Sequence, residues 1–373
     1  MGSLFQIDRG LSRALTHGFH SYAGRMHPST ARVAIAALSI PGQRILDPFC
    51  GSGTVLVEAM AAGRHATGGD ASPLAVLIAK VRSTLLDEAA RERLVAAADE
   101  IATEAAERAR KRIRPVIPAW ASREKERFSP HVALELLGLR ELLGKTAEDD
   151  VGQALRACFS SILVKFMRSP EPKSPDEGRQ RIGRGVPSRF FAGRAKELAM
   201  SLAALAQRTP AGTPAPVVRL GDACNLGNLP DRGFDLVLSS PPYAGTYDYA
   251  EHHDVRFLWL GLPRENLDRI QVGARSEGLG SAEKRWRTDR RRWLGEMARV
   301  ARPGAAVVLV VGDGVVGGHS EDAAEAIQFE APKAGLSPVA GASQSRPPRD
   351  RRLSEIFAGH PRREHMLMLR RDG

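Results

Sequence analysis

Two adjacent prolines, Pro241 and Pro242, follow almost directly on the apolar run Phe234-Asp235-Leu236-Val237-Leu238. A run that short and that apolar reads as a single buried strand. Neither proline has an N–H to give to a sheet ladder, so the strand must stop there. The chain leaves the sheet as Ser239-Ser240-Pro241-Pro242-Tyr243 and presents a hydroxyl, free carbonyls and an aromatic ring at the strand tip. An ordinary proline turn after a strand looks the same when taken alone. As surroundings for a ligand, the tip suits a flat polar ring better than it suits a packed core.

A second stretch narrows the choice. Arg44-Ile45-Leu46-Asp47 is a short strand candidate that runs into Pro48-Phe49-Cys50-Gly51-Ser52-Gly53, and Thr54 opens a helical segment through Met60. A strand, a Gly-x-Gly turn and a helix let the backbone approach a ligand closely while a helix N-terminus faces it. Position 56 is Leu, so this is not the dinucleotide fingerprint, and no Gly-Lys-Ser/Thr of a phosphate loop follows. His65–Asp70 reads as the next strand, ending in an acid placed to accept from both ribose hydroxyls of an adenosine ligand. The competing role for Asp70 is the N-cap of a helix that starts near Pro73.

Together, Asp47-Pro48-Phe49-Cys50-Gly51-Ser52-Gly53 and Ser240-Pro241-Pro242-Tyr243 resemble the cofactor and catalytic motifs of the amino-methyltransferase family, chiefly the cytosine-N4 and adenine-N6 DNA methyltransferases. The resemblance covers residues 17–84 and 215–315, and residues 85–214 match no family motif. It implies a Rossmann-like seven-stranded methyltransferase sheet of the α/β class. It implies S-adenosyl-L-methionine as cofactor, held by Asp47, Phe49, Gly51, Gly53, Asp70 and Asp222. It assigns catalysis to Ser240, Pro241, Pro242 and Tyr243. Asp47, Asp70, Asp222 and Ser240 each fall at the end of an expected strand, the edge where ligands sit in open α/β sheets.

The net charge is +11, and it is concentrated. Residues 165–196 hold nine Lys/Arg against three Asp/Glu, and residues 281–302 hold eight against three. Clustered positive charge near loops is the footprint of a polyanion-binding surface. It makes Arg179, Arg181, Arg184, Arg290, Arg291 and Arg292 candidate nucleic-acid contacts, with a solvated basic face as the alternative. The three cysteines, Cys50, Cys158 and Cys224, are far apart and lack metal spacing, which argues against a disulfide framework or a metal site and fits a reducing cytoplasm. The start of the chain has no charged-then-apolar signal pattern, and no apolar run reaches the roughly 18 residues needed to span a bilayer, so no membrane partner is expected.

The chain divides into 1–84, carrying the cofactor side of the methyltransferase domain; 85–214, an inserted and mainly helical lobe that could recognise substrate; and 215–373, carrying the catalytic motif. His17, His20 and His27 read as surface histidines in an ordered loop, with Ser29 or Thr30 capping a helix through Leu38. Asp87–Arg114 is Ala-rich and reads as an exposed or lightly packed helix. His131–Leu143 and Val151–Met167 should form a small helical core. Ser169–Ser188 reads as a mobile basic loop. Arg189–Gln207 reads as a helix that buries Phe190, Phe191, Leu198, Leu202 and Leu205. Trp286 and Trp293 share one face of a helix over 284–302 that Pro303-Gly304 ends. Ala305–Val311 is strand, Gly312-Asp313-Gly314 a loop, Ser320–Ala331 a helix, and 336–343 with 364–369 a closing strand pair.

The leading functional expectation is DNA cytosine-N4 methylation. Alternatives are adenine-N6 DNA methylation, methylation of an RNA base, and a catalytically silent nucleic-acid-binding protein. DNA is favoured over RNA because no segment resembles an RNA-binding module. A partner restriction nuclease is compatible with the family, and the oligomeric state is left open.

Overall fold

Phe234–Ser239 forms a strand because its apolar residues are buried on both faces, and it ends where the two prolines begin. The protein is described as a computed structural model for residues 10–124, 126–168, 182–245, 249–264, 267, 279–347, 351–359 and 361–373. In chain order the strands are β1 (Arg44–Asp47), β2 (His65–Asp70), β3 (Val217–Leu220), β4 (Phe234–Ser239), β5 (Ala301–Gly312), β6 (Gly314–Val316), β7 (His319–Glu321), β8 (Leu336–Ser345) and β9 (Arg363–Arg371). Seven of them form one sheet in the order β3-β2-β1-β4-β5-β9-β8. β3, β2, β1, β4 and β5 pair in parallel, whereas β9 runs antiparallel to both β5 and β8. This is the seven-stranded α/β sheet expected from the sequence.

The strand order reverses between β1 and β4, so crossovers leave the sheet in opposite directions and open a crevice at the carboxyl ends. On one face lie α1 (Pro28–Leu38), α2 (Thr54–Ala61) and α3 (Pro73–Ser83). The 279–300 and 323–330 helices, introduced below, lie on the other. β5 shows the division by alternation: Ala306, Val308 and Val310 pack with α1 and α2, while Val307, Leu309 and Val311 pack toward the opposite helices.

Between α3 and β3 the chain builds the helical lobe from α4 (Glu88–Arg110), α5 (Pro130–Leu143), α6 (Asp150–Leu163) and α7 (Val186–Arg208). α4 is more deeply packed than its composition suggests. Ala90, Leu94, Ala98, Ile101, Ala102 and Ala105 make a buried stripe whose small side chains let α7 and α5 approach closely. The lobe shares its core with α3, with Phe19 and Tyr22, and with α9 (Asp254–Leu260), which follows the short α8 (Tyr249–His252), through Val255, Phe257, Trp259 and Leu260 of α9. Trp259 is ringed by Trp120, Phe128 and Phe159, and its Nε1 donates to Glu124 at 3.2 Å.

The last third contains α10 (Leu279–Val300), α11 (Ala323–Glu330) and α12 (Arg351–Ile356). Trp286 and Trp293 anchor α10, both buried. Several expectations need correction. Pro303-Gly304 ends no helix: α10 stops at Val300, and β5 already begins at Ala301. The proline is tolerated because the β4–β5 register is irregular there, passing from Phe234↔Ala301 to Leu236↔Ala306. The segment after Asp313 is a small β6–β7 hairpin, turned by Gly317 and Gly318 at φ +59° and +87°. Its entry is pinned by Asp313, which accepts from Ala323 N at 3.1 Å and Arg363 N at 2.8 Å and lies 2.8 Å from His365 Nε2. α1 is capped by His27, whose Nδ1 accepts from Ser29 N at 3.2 Å, so neither Ser29 nor Thr30 caps it. Phe190 is 39% exposed, beneath the Lys165 ammonium at 4.4 Å, whereas Phe191, Leu198, Leu202 and Leu205 are buried as expected. Most of the Ser169–Ser188 stretch lies outside the described residues. Among the described residues, no helix is long and apolar enough to cross a membrane.

Gly53 joins the β1 turn to the packing of α2 on α3. It sits at φ +81°, and a Cβ built on it would lie 3.0 Å from both Cα and Cβ of Ala79. Gly53→Ala therefore combines left-handed strain with a backbone clash, and it should lower stability by about 1–3 kcal/mol in urea unfolding. A loss under about 0.5 kcal/mol would show that α3 yields freely at this contact.

Candidate functional site

The glycine turn is set by two left-handed residues, Gly51 at φ +49° and Gly53 at φ +81°. Gly53 caps α2 without a side chain, so the first N–H groups of α2 face the crevice. Asp70, at the end of β2, accepts from Gly51 N through Oδ2 and from Ser72 N through Oδ1, each at 2.9 Å. The cap of α3 is Ser72, whose Oγ accepts from Ala75 N, so Asp70 is not the capping residue. Burial raises the Asp70 carboxyl to about 6 against the pull of those two amides. Cys50 is buried in the same turn, and burial together with the two nearby aspartates pushes its thiol well above the ordinary range, consistent with a small packing residue.

Asp47 ends β1 at the point where the strand order reverses. It is fully buried, and its Oδ1 accepts from Ser239 Oγ at 2.6 Å and from Phe49 N at 3.2 Å. Burial raises its carboxyl to about 7, with the Asp70 charge adding to the rise. Asp222 follows β3 and accepts from Cys224 N at 2.8 Å. Phe49 stands edge-on to Trp293 with centroids 6.0 Å apart. Phe49, Gly51, Asp70, Asp222, Ser240 and Pro242 line one cavity, which Tyr22, Ala23 and Gly24 cover from the N-terminal segment. The structure thus brings together six of the ten residues assigned by resemblance to the cofactor and to catalysis, while Asp47, Gly53, Pro241 and Tyr243 do not line this cavity. Asp47 and Gly53 support that cavity from behind.

Beyond β4, Ser240 Oγ donates to Val310 O at 3.0 Å, which fixes the hydroxyl rotor and leaves its lone pairs to accept. Tyr243 lies with its ring against Gly312, where a Cβ would come within 2.6 Å of the ring carbons. Its hydroxyl donates to Glu364 Oε1 at 2.9 Å. Glu364 Oε2 accepts from Gln344 Nε2 at 3.0 Å and Arg346 Nη2 at 2.7 Å. Burial alone would raise Glu364, but Arg346 and Tyr243 outweigh it and hold the carboxyl below the usual range. Tyr243, Gly312, Arg346 and Glu364 line a second cavity of about 610 Å³ on the far side of the tip, and Ala23 and Gly24 border both cavities. Gln344, Arg346 and Glu364 carried no sequence signal, since they lie about a hundred residues from Tyr243 and reach it only through β9 pairing with β5.

The histidine expectation is overturned. His17 and His20 are fully buried. His17 Nε2 lies 2.8 Å from Glu58 Oε1 and its Nδ1 2.7 Å from Arg82 Nη2, while Arg82, also buried, donates to Ser52 Oγ at 2.6 Å. Burial lowers His17 to about 4, so it is neutral at ordinary pH and Arg82 donates to it. This network ties the N-terminal segment to the glycine turn.

The arginines of the second basic window have acid partners within the fold. Arg290 is buried and pairs with Glu321 at 2.8 Å, Arg291 is paired with Glu330 at 2.9 Å, and Arg292 lies 3.8 Å from Asp289. Arg299 and Arg302 are bound to Asp231 and Asp235. The charge excess on α10 is thus consumed locally, because its acid partners are distant in sequence and invisible to a window count. Arg184 is exposed and donates to Ala109 O at 3.0 Å. Arg179 and Arg181 lie outside the described residues.

Residues 14–81 match a family model described as "DNA methylase". Over 295 residues the chain is 24% identical to the Type II methyltransferase M.MvaI of Kocuria varians, a match covering 71% of this chain and 63% of that protein. A 66-residue stretch is 41% identical to the Type II methyltransferase M.MjaII of Methanocaldococcus jannaschii, covering 18% of this chain and 12% of that one. The chain thus spans less than two thirds of the length of either curated relative. Among solved structures, a SAM-dependent methyltransferase from Methanosarcina mazei aligns with TM-score 0.36 at 11% identity, over 91% of this chain and 96% of that one.

The Ser239–Asp47 bond makes a pH-dependent prediction. Asp47 is raised by folding to about 7, so its favourable contribution is complete below the ordinary carboxylate pKa and is lost as pH rises through about 7. Ser239→Ala removes the donor that offsets this loss, and the bond is worth about 1.5–3 kcal/mol once the carboxylate is charged. The destabilisation read by denaturant unfolding should therefore be larger at pH 8 than at pH 5. Equal penalties at the two pH values would mean that Asp47 does not change charge across that range.

Proposed function

We propose that this chain, a member of the amino-methyltransferase family, transfers a methyl group from S-adenosylmethionine to an exocyclic amino group of a nucleobase in DNA, with cytosine N4 as the acceptor. The observation that carries the reading is the shared cavity. The glycine turn and Asp70 face the same space as Ser240 and Pro242, so cofactor and acceptor can meet at the tip of β4. The residues fit the cofactor: Asp70 can accept from ribose hydroxyls, Asp222 from an adenine amino group, and Phe49 offers an apolar edge. The cofactor supplies a methyl group on a sulfonium leaving group.

The protein's task is then orientation. An exocyclic amino nitrogen is a poor nucleophile because its lone pair is delocalised into the ring. Ser240 Oγ, with its proton committed to Val310 O, can accept one amino hydrogen, and the Pro241 carbonyl can accept the other. That favours a pyramidal nitrogen with its lone pair directed at the methyl group. Tyr243, braced by Glu364 and Gly312, offers a ring on which the base stacks. A base in a duplex cannot reach this tip, so the nucleotide must be turned out of the helix. Serine at the first tip position supports cytosine over adenine, since an Asp there would be a stronger, charged acceptor. The helical lobe at 85–214 is proposed to contact the substrate.

Incubation with tritiated S-adenosylmethionine and duplex DNA, followed by nucleoside mass spectrometry, should yield N4-methylcytosine. Finding N6-methyladenine, a methylated RNA base or C5-methylcytosine in its place would overturn the acceptor assignment. Ser240→Ala should lower turnover by about 10²-fold with cofactor affinity unchanged, since its bond is made to the reacting group. Tyr243→Ala should lose about 1–3 kcal/mol of transition-state stabilisation through stacking. Cofactor affinity itself, in the micromolar range, should tighten as pH rises from 5 to 7. Asp70, raised by burial to about 6, gains the charge that ribose hydroxyls bond to across that interval, an effect of up to about tenfold. Calorimetry showing a flat pH dependence, or unchanged affinity in Asp70→Ala, would remove Asp70 from the cofactor site.

A further inference from the structure

We infer that the groove between the helical lobe and α9 is a phosphodiester site that holds the DNA strand beside the target nucleotide; this rests on the proposed nucleic-acid substrate. The groove encloses about 880 Å³. Tyr22 and Ala23 form one wall, and both also line the cavity that holds Asp70 and Ser240, so the groove leads into the site. Arg168 and Met167 form the lobe wall, and Val255 and Arg256 the α9 wall.

Its electrostatics are incomplete without an anion. Arg256 is 2% exposed, yet among the described residues the partners of its guanidinium are all neutral: Ser21 Oγ at 3.0 Å, His253 Nδ1 at 2.8 Å and Ser160 O at 3.4 Å. Burial lowers it to about 10, so it remains charged at neutral pH. A buried cation without a counter-charge is costly, and an anion drawn into the groove would offset that cost. His253 cannot compensate, being neutral itself: burial first, then Arg256, lowers it to about 3. Arg25 and Arg168 also line the groove, and neither has a carboxylate partner among the described residues. Arg127 does, in Asp254 at 3.2 Å, so it is already satisfied. Arg25 donates to the neutral His17 carbonyl at 2.6 Å; Glu251 is the acid among the lining residues, against three arginines with no carboxylate partner among the described residues. A guanidinium prefers the two-oxygen face of a phosphate. The apolar surface of Tyr22, Val164 and Met167 beside the arginines suits the sugars and bases of the same strand.

The test uses a fluorescein-labelled duplex oligonucleotide, with anisotropy titrations over a series of salt concentrations and methyl transfer to the same DNA measured in parallel. Arg25→Ala and Arg168→Ala, which remove exposed side chains, should each weaken binding and reduce the slope of log K against log salt by about one. Cofactor affinity in calorimetry should stay unchanged. Arg291→Ala, whose cation is already paired with Glu330, should leave the slope as it is. If the wild-type protein methylates DNA and both groove variants keep the wild-type slope, the groove inference falls while the enzymatic reading stands. If the slopes fall but no methyl group reaches DNA, the groove is supported and the substrate reading falls. If the wild-type protein binds no DNA, both fall.

Discussion

One carboxylate ties together the two turns on which the proposed cofactor side of the molecule depends. Asp70 accepts from the amide of Gly51 in the β1–α2 turn and from the amide of Ser72 at the start of α3. The bonds hold the glycine turn in its left-handed path and align two helix N-termini toward the same crevice. The acid is half-buried and raised by that burial, so its charge is poised, and its remaining lone pairs face the cavity. Everything placed around it follows from parallel strands of unequal role ending along one edge.

The proposed catalytic side is built on the same edge by two further braces. Asp47 and Ser239 join β1 to β4 at the reversal of strand order, where an open sheet has no crossover to fill the gap. On the other side of the tip, Glu364 of β9 holds the hydroxyl of Tyr243 while Gly312 of β5 leaves room for its ring. The antiparallel insertion of β9 next to β5 is what brings residue 364 within reach of residue 243. A parallel strand in that position would deliver its other end to this edge.

The N-terminal segment and the helical lobe complete the enclosure. Phe19 and Tyr22 enter the lobe's core, while His17 and Arg82 bind the segment to the glycine turn. The lobe therefore bears on the proposed cofactor cavity through shared packing, and its position relative to the sheet is set by α3, whose buried residues belong to both cores.

The sequence by itself determined the alternation of strands and helices, the glycine turn, and the strand ends that carry Asp47, Asp70, Asp222 and Ser240. These features are local. Proline cannot extend a ladder, glycine alone takes the left-handed turns cheaply, and apolar runs of strand length must be buried. The stretches that carry the family resemblance were legible for the same reason, being contiguous. Tertiary structure alone decided which charges remain free. Eight cations over 281–302 looked like a binding surface, but Glu321, Glu330, Asp231 and Asp235 neutralise four of them from elsewhere in the chain. It also decided that His17 and His20 are interior, that Glu364 reaches Tyr243, and that Arg256 is buried with no acid beside it among the described residues. Each of these depends on a partner tens to hundreds of residues away, and no local pattern encodes a pairing that only the folded chain can close.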